Sequence, residues 1–132
     1  MNNVSKTVLI LDDEDFVRQS FSDYFEDHLW LPIAAQSGEE ALTIMDKKSP
    51  DCAIVDIRLG GIDGNAFIRE AYRKKPQMGI IICTGSPEYA IPADVRELPS
   101  VSNRVFKKPV ANMDDLKGEL LRLNSKLEKK SV

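Results

Sequence analysis

The chain has 132 residues, 42% of them hydrophobic and 30% charged, and these proportions are typical of one globular domain rather than of a disordered or membrane-spanning chain. Its formal net charge of −3 at pH 7 provides no overall basic field that would favour direct binding of nucleic acid. No apolar stretch approaches the ~20 residues of a membrane span, and the N-terminus offers no signal-peptide core. We therefore expect a cytoplasmic protein that makes no membrane contact.

Short apolar runs alternate along the chain with longer segments in which apolar residues recur at helical spacing. This alternation is typical of repeated β–α–β units, in which helices cover both faces of a parallel sheet. The predicted strands are 7–11, 31–35, 51–56, 79–84 and 104–107, and the predicted helices are 15–28, 38–48, 65–75 and about 113–129. We therefore predict an α/β fold with one doubly wound sheet of five parallel strands.

The stretch between the fourth and fifth strands breaks this pattern. It contains Pro87, Pro92 and Pro99, and a proline inside a helix removes a backbone hydrogen bond at a cost of ~3 kcal/mol. We therefore predict an irregular fourth helix of at most two turns, within 93–98.

The last predicted helix carries leucines at spacings of four, three and four residues. These leucines form either the stripe that faces the core or a short seam between two copies of the chain. The residues are Leu116, Leu120, Leu123 and Leu127. The sequence favours the core stripe and leaves a homodimer open.

Polar side chains follow four of the apolar runs at the point where each predicted strand ends. Asp12 and Asp13 follow the first strand, Asp56 the third, Thr84 ends the fourth, and Lys108 follows the fifth. In an open parallel sheet, groups just past the carboxyl ends of the strands converge in the crevice where ligands bind. Three acids, a hydroxyl and an ammonium group would then share one pocket.

This set of groups is suited to binding magnesium and transferring phosphate. Mg²⁺ prefers oxygen ligands and keeps several waters, so Asp13 and Asp56 could bind it directly and Asp12 directly or through water. The backbone carbonyl of Arg58 could complete the ligand set. A carboxylate can also attack phosphorus to form an aspartyl phosphate, while Lys108 and the metal neutralise the phosphoryl charge.

Each of these residues also has a simpler explanation when taken alone. The acid pair could cap the first helix, Asp56 and Thr84 could be turn residues, and Lys108 could be a solvated surface lysine. The combination is more specific than any member, because all of them fall at strand ends.

On these residues the chain resembles the receiver domain of two-component response regulators over nearly its whole length. The matching positions are Asp12 and Asp13, Asp56 within 55–59, Asp63-Gly64 before the third helix, Thr84, and Lys108-Pro109. The resemblance implies that the Lys108–Pro109 peptide bond is cis. The resemblance implies a flavodoxin-like sheet with strand order 2-1-3-4-5. It implies a single receiver domain over 1–132, with a core of about 6–128, tails at 1–5 and 129–132, and no output domain in this chain.

The resemblance also implies a function. Asp56 would take a phosphoryl group from a phosphohistidine on a sensor histidine kinase or a histidine phosphotransfer protein. Mg²⁺ would be held by the acids and the Arg58 carbonyl, and Thr84 and Lys108 would contact the phosphoryl oxygens. The chain would then be a regulatory phosphoacceptor, not an enzyme with another substrate. Its altered surface would bind a downstream protein or act on an output domain missing from this chain.

Two pairs of residues bear on how such a domain would behave. Arg58 and Ser86 would flank the entrance for the water that hydrolyses the phosphoaspartate, and would set its lifetime. Receivers commonly carry an aromatic switch residue three positions before the lysine, where this chain has Val105. Phe106 lies next to it but should point elsewhere on a strand.

Two alternative functions remain at this stage. The chain could be a degenerate receiver that acts as an unphosphorylated scaffold. It could also be a small phosphatase of the haloacid dehalogenase type, with Asp13 as nucleophile and Asp15 as acid, because 13–17 has the pattern Asp-x-Asp-x-Val after a strand. The second alternative gives Asp56 no role.

Overall fold

The computed structural model describes residues 6–130, so the predicted tail at 1–5 and residues 131–132 lie outside the described part of the chain. Strands and helices alternate without exception. They are β1 (Thr7–Leu11), α1 (Asp15–Asp27), β2 (Leu31–Ala35), α2 (Gly38–Lys48), β3 (Cys52–Val55), α3 (Gly64–Lys74), β4 (Gly79–Thr84), α4 (Ala93–Arg96), β5 (Val101–Lys107) and α5 (Met113–Lys130). Among these residues no helix is long and apolar enough to cross a membrane.

The sheet confirms the predicted architecture. Its five strands are all parallel and lie in the order β2-β1-β3-β4-β5, with β1 and β3 side by side at the centre. The carboxyl ends of β1 and β3 therefore meet at one edge of the sheet. The connection after β1 leads to one side of the sheet and the connection after β3 leads to the other. Doubly wound folds bind ligands at such a switch point.

Alternate residues of the central strands supply two separate cores, one on each face of the sheet. In β1, Leu9 and Leu11 face the helices α2, α3 and α4, whereas Val8 and Ile10 face α1 and α5. Burying each aliphatic side chain of this size contributes about 1.5–3 kcal/mol relative to leaving it exposed. The two cores together hold the central strands rigidly beneath the crevice.

The fourth helix and the last helix behave as predicted. The structure has α4 as a single turn of four residues, flanked by the prolines that limit it. All four leucines of the predicted stripe on α5 are buried within the one chain, which confirms that the stripe faces the core: Leu116, Leu120, Leu123 and Leu127.

The fifth strand begins at Val101, three residues before its predicted start at 104. The residues before 104 are too polar to predict a strand, but the fold provides a hydrogen-bond partner for the buried Ser102. Ser102 is buried and donates its hydroxyl proton to Glu119 Oε2 at 2.5 Å, and Val101 pairs with Ile80 next to an irregularity in the ladder. The polar residues are accommodated because α5 supplies a hydrogen-bond acceptor beneath them.

Candidate functional site

Two buried carboxylates lie just past the carboxyl ends of the central strands. The Asp12 N–H donates to the Ala35 carbonyl at 3.1 Å, and the Asp56 N–H donates to the Leu11 carbonyl at 2.9 Å. These bonds continue the backbone ladder beyond the strands and fix the position of both residues. Asp12 and Asp56 are only 3% and 4% exposed, whereas their neighbour Asp13 is exposed.

The three aspartates form a compact oxygen cluster. Asp12, Asp13 and Asp56 can each offer one carboxylate oxygen such that all three lie within 4.8 Å of one another. Two or three protein carboxylates of this kind suit a hard divalent cation such as Mg²⁺, which completes its shell with water. Arg58, whose carbonyl is the fourth predicted ligand, lines the same cavity.

Lys108 lies against this cluster, as its position after β5 predicted. Its Nζ atom is 3.0 Å from Asp12 Oδ2, 3.2 Å from Asp56 Oδ2 and 3.1 Å from Glu14 Oε1. The Lys108 N–H donates to the Thr84 carbonyl at 3.0 Å, and the Lys108–Pro109 peptide bond is cis, as expected. The lysine therefore connects the end of the fifth strand to the first and third.

The sequence analysis did not identify Glu14 as a partner of this lysine. It is the cap residue of α1, directly after the acid pair, and its side chain is largely exposed. Its place in a run of four acids, 12–15, was the only available signal. That run also includes Asp15, which pairs with Arg18 on the surface rather than joining the cluster.

The electrostatics of the pocket follow from this crowding. Burial, and next the charge of Asp12, raise the pKa of the Asp56 carboxyl, and Lys108 offsets only part of that effect. Burial alone would lower the pKa of Lys108, but its hydrogen bonds to Asp12 and Glu14 outweigh burial and raise it. The lysine is thus firmly charged, while the carboxylates still repel one another and would be stabilised by a further cation.

Thr84 and the two predicted entrance residues complete the pocket. The Thr84 hydroxyl is buried and accepts a hydrogen bond from the Ser86 N–H at 3.1 Å. Arg58 Nη2 donates to Ser86 Oγ at 3.3 Å, so the two entrance residues contact each other directly. The cavity measures about 580 Å³, which is ample for a phosphoryl group, a metal ion and water, and its lining includes Asp13, Asp56, Arg58, Thr84, Ser86 and Lys108.

The N-terminus of α3 lies directly against the backbone of Asp56. Asp63 caps this helix by accepting from the Ala66 N–H at 2.8 Å, and the Gly64 N–H donates to the Ile57 carbonyl at 3.0 Å. A Cβ atom on Gly64 would lie 2.3 Å from the Asp56 carbonyl oxygen, which is far closer than atoms can approach. Glycine is therefore required for this contact.

The two residues of the predicted switch region point to opposite faces of the sheet. Val105 is half-buried against the core on the α2, α3 and α4 side. Phe106 is buried in the other core, and the Arg104 guanidinium lies 4.7 Å from its ring centroid. Phe106 therefore points away from the Val105 face, as the alternation along the strand predicted.

Comparison with known proteins agrees with this geometry. The family model of the response regulator receiver domain matches residues 8–120. A curated relative, the positive alginate biosynthesis regulatory protein of Pseudomonas aeruginosa, is 34% identical over 89 residues. That match covers 65% of this chain and 36% of the relative, so the chain spans little more than a third of that protein.

Two solved structures are similar in fold along almost their entire length. A CheY-like response regulator receiver domain protein from Methanospirillum hungatei has a TM-score of 0.81 and 25% identity, covering 95% of this chain and 98% of the other. The response regulator protein TrrA from Thermotoga maritima, in complex with Mg²⁺-BeF, has a TM-score of 0.74 and 27% identity. The match covers 89% of this chain and 98% of the TrrA chain.

Proposed function

The chain belongs to the response regulator receiver domain family, and from this we propose that it accepts a phosphoryl group on Asp56 in a magnesium-dependent step of two-component signalling. One observation carries the proposal. A buried carboxylate, Asp56, lies within reach of a charged amine, Lys108, and of the acid pair Asp12 and Asp13. This arrangement combines a nucleophile, a counter-charge and a cation site in one pocket.

The donor would be a phosphohistidine on a sensor histidine kinase or a histidine phosphotransfer protein. A carboxylate oxygen of Asp56 attacks phosphorus and forms a P–O bond, while the P–N bond to the donor imidazole breaks and its electrons return to the nitrogen. Lys108 offsets the charge on the transferred group, and Thr84 donates its hydroxyl proton to a phosphoryl oxygen.

Magnesium is the cofactor that fits the oxygen cluster. The donor set consists of hard oxygen atoms, and the related TrrA protein was solved in complex with Mg²⁺-BeF. A bound ion supplies positive charge that neutralises the crowded acids and the incoming phosphoryl group. We assign its ligands to Asp12, Asp13, Asp56 and the backbone carbonyl of Arg58.

The contact between Arg58 and Ser86 would set how long the phosphoryl group lasts. Both side chains line the cavity, and Arg58 Nη2 donates to Ser86 Oγ at 3.3 Å. Water that hydrolyses the aspartyl phosphate must pass this pair, so a closed contact lengthens the lifetime. The chain thus acts as a regulatory phosphoacceptor whose only reactions are its own phosphorylation and dephosphorylation.

The partner protein that donates phosphate would dock beside α1. Phe16 is 91% exposed and borders an apolar groove of about 270 Å³, lined also by Val17, Phe21 and Met113. Lys108 lines both this groove and the acid pocket. A protein that presents a phosphohistidine to Asp56 from this side therefore finds apolar surface to bury.

The phosphorylated domain would act through protein contacts in the cytoplasm. Its target is a downstream protein or an output domain outside this sequence, because the chain spans only 36% of the alginate regulator. With a net charge of −3, we assign no direct binding of nucleic acid to this part of the protein.

The first experiment is incubation with Mg²⁺ and acetyl phosphate, followed by intact mass measurement. We expect one added phosphoryl group on the wild type and on Asp23→Asn, and none on Asp56→Asn. Asp23 is a matched control because it is exposed on α1 and remote from the pocket. An adduct on Asp56→Asn, or none on the wild type, would contradict the proposal.

The same samples distinguish the alternatives. A degenerate scaffold would show no adduct and would not bind beryllofluoride with Mg²⁺. A phosphatase that uses Asp13 would turn over a phosphate ester, would lose this activity in Asp13→Asn, and would keep it in Asp56→Asn. Asp15, the acid in that mechanism, is 90% exposed and paired with Arg18, which weighs against it.

A further inference from the structure

A chain of hydrogen bonds leads from Thr84 out of the acid pocket and into the loop between β4 and α4. Its centre is Ser86. The Ser86 N–H donates to Thr84 Oγ1 at 3.1 Å, and the Ser86 carbonyl accepts from the Tyr89 N–H at 3.4 Å and from Lys107 Nζ at 3.1 Å. A displacement of Thr84 therefore reaches Tyr89 through the backbone of one residue.

Tyr89 joins this loop to α3. Its hydroxyl donates to Asn65 Oδ1 at 2.7 Å, across 24 positions in the sequence. The ring is half-buried and packs against the same core that Val105 borders. Burial raises the pKa of the Tyr89 hydroxyl, so this group remains a proton donor at neutral pH.

A second cavity lies beside Tyr89 and adjoins the acid pocket. It measures about 410 Å³, and its lining includes Asn65, Glu88 and Tyr89 together with Thr84 and Ser86, which it shares with the acid pocket. Protein interiors are otherwise packed closely, so open space beside a half-buried ring leaves room for that ring to change position. Thr84 lines both cavities, so a shift of its side chain toward the acid pocket is a shift away from the cavity beside Tyr89.

We propose that the Tyr89–Asn65 hydrogen bond is coupled to the engagement of Thr84 at the phosphoryl site. A phosphoryl oxygen on Asp56 that draws the Thr84 hydroxyl toward it displaces Ser86, and the displacement breaks the bond between Tyr89 and Asn65. Tyr89 then moves into the adjoining cavity and exposes a different loop surface. This inference rests on the proposed function, because it assumes that Asp56 carries the phosphoryl group.

Other residues near the fifth strand are poorly placed for this role. Phe106 faces the opposite core and lies under the Arg104 guanidinium, and Val105 has no polar atom that could form or lose a hydrogen bond. The fourth helix is one turn long. Among the residues bonded to Ser86, Tyr89 is the one that also connects to a separate helix.

Coupling between two sites is reciprocal, so the bond must also affect ligand affinity. The bond between Tyr89 and Asn65 stabilises the arrangement in which Thr84 accepts from Ser86. Removing the Tyr89–Asn65 bond therefore lowers the free-energy cost of moving Thr84 away from Ser86 and toward the phosphoryl site. A net hydrogen bond of ordinary strength then corresponds to a change of roughly two- to tenfold in affinity.

The test uses Mg²⁺ with beryllofluoride as a probe of the phosphoryl site, in protein labelled with ¹³C in its three tyrosine rings. Fluorine NMR reports whether the probe is bound, and the Tyr89 ring signal is assigned by its loss in Tyr89→Phe. We expect the Tyr89 signal to shift on binding while the signals of Tyr24 and Tyr72 stay in place. If the probe binds and the Tyr89 signal does not shift, this inference is overturned while the proposed function stands.

The affinity for the same probe supplies the reciprocal measurement. We expect Tyr89→Phe and Asn65→Ala each to bind the probe roughly two- to tenfold more tightly than the wild type. The double variant should gain no more than either single variant, because both remove the same bond. Tyr72→Phe is the matched control and should bind as the wild type does.

Two further outcomes are decisive. Affinities that equal the wild type in both single variants, or that add in the double variant, would contradict the coupling. Absence of any bound fluorine signal in the folded wild type would instead overturn the proposed function, and this inference with it. The tyrosine ring spectrum shows in each case whether the protein is folded.

Discussion

The acid pocket and the segment from β4 to β5 share Thr84, but different kinds of interaction hold them in place. Asp12 and Asp56 are fixed by backbone hydrogen bonds that extend the central strands. The segment beyond Thr84 is held by side chains, with Tyr89 bonded to Asn65 and Ser86 bonded to Arg58. Chemistry that needs fixed geometry is built on the sheet, and the part that must respond is built on bonds that can break.

The two regions also differ in how charge is used. The pocket groups three aspartates, of which two contact Lys108, so the carboxylates repel one another until a further cation binds. In the other region opposite charges are paired one to one, as in Arg69 with Asp94 and Arg104 with Asp115. The first region thus favours binding of a cation, whereas the charges of the second are already paired with one another.

The largest expected effect tests how rigid the pocket is. Gly64→Ala places a Cβ atom 2.3 Å from the Asp56 carbonyl oxygen, so the helix N-terminus must separate from the acid-bearing strand. We expect the free energy of unfolding to fall by about 3 kcal/mol, measured by urea denaturation. Loss of well under 1 kcal/mol would show that the contact yields and that the pocket is not rigid.

Gly118→Ala is the matched control for that substitution. Gly118 lies in α5, and an added Cβ would meet nothing within 4 Å. Alanine is the better helix former, so this variant should gain about 0.5–1 kcal/mol. Opposite signs at the two glycines would show that the loss at Gly64 comes from the contact with Asp56.

A smaller effect tests the repulsion among the carboxylates of the pocket. Burial raises the pKa of Asp56, which means that folding disfavours its charged form at neutral pH. Asp56→Asn removes that charge while Lys108 keeps Asp12 and Glu14 as partners. We expect the variant to be more stable than the wild type by about 0.5–2 kcal/mol in the absence of divalent ions.

Magnesium should reverse part of this difference. A ligand that binds only the folded state adds stability in proportion to its affinity, so Mg²⁺ should raise the melting temperature of the wild type more than that of Asp56→Asn. Thermal denaturation with and without Mg²⁺ measures both quantities. Equal responses of the two proteins would mean that Asp56 does not bind the ion.

The smallest effect concerns the paired charges beneath β5. Glu119 is 5% exposed and accepts from Arg122 Nη2 at 2.7 Å and from Ser102 Oγ at 2.5 Å. The hydrogen bond from Arg122, against the opposing effect of burial, lowers the pKa of Glu119. We expect Glu119→Gln to lower the free energy of unfolding by about 1 kcal/mol at neutral pH.

The pH dependence gives this prediction its sign. A carboxyl whose pKa is lower in the folded state stabilises the protein above its unfolded pKa, about 4.3, and loses that contribution as the pH falls through the folded pKa. The difference between wild type and Glu119→Gln should therefore shrink in acid. Glu26→Gln, on the exposed surface of α1, should show no comparable trend. A difference that is constant with pH would exclude the ion pair as its cause.

The sequence brought the main residues of the pocket together because each of them lies at or just past the end of an apolar run. A parallel sheet brings such strand ends together, so Asp12, Asp56 and Lys108 could be grouped without knowing any side-chain contact. Glu14 escaped this reasoning because it belongs to a helix cap and reaches back with an exposed side chain. Its contact depends on a rotamer, which no periodic pattern records.

The other region was predicted only in outline. The prolines predicted a short fourth helix, but the bond from Tyr89 to Asn65 joins an irregular loop to the first turn of α3, and no repeating pattern in the sequence records it. The start of β5 at Val101 was missed for a similar reason, since the buried Ser102 is stabilised by Glu119 on α5, a partner distant in the sequence. Contacts between distant polar side chains lie beyond local sequence patterns.

Arg104 has a consequence for how this protein can diverge. Its guanidinium lies over Phe106 and pairs with Asp115, so β5 and α5 are fastened to each other independently of the loop at 85–92. Substitutions in that loop can therefore accumulate without loosening the strand–helix pair. The loop surface is thus free to diverge among related proteins while β5 and α5 keep the same mutual position.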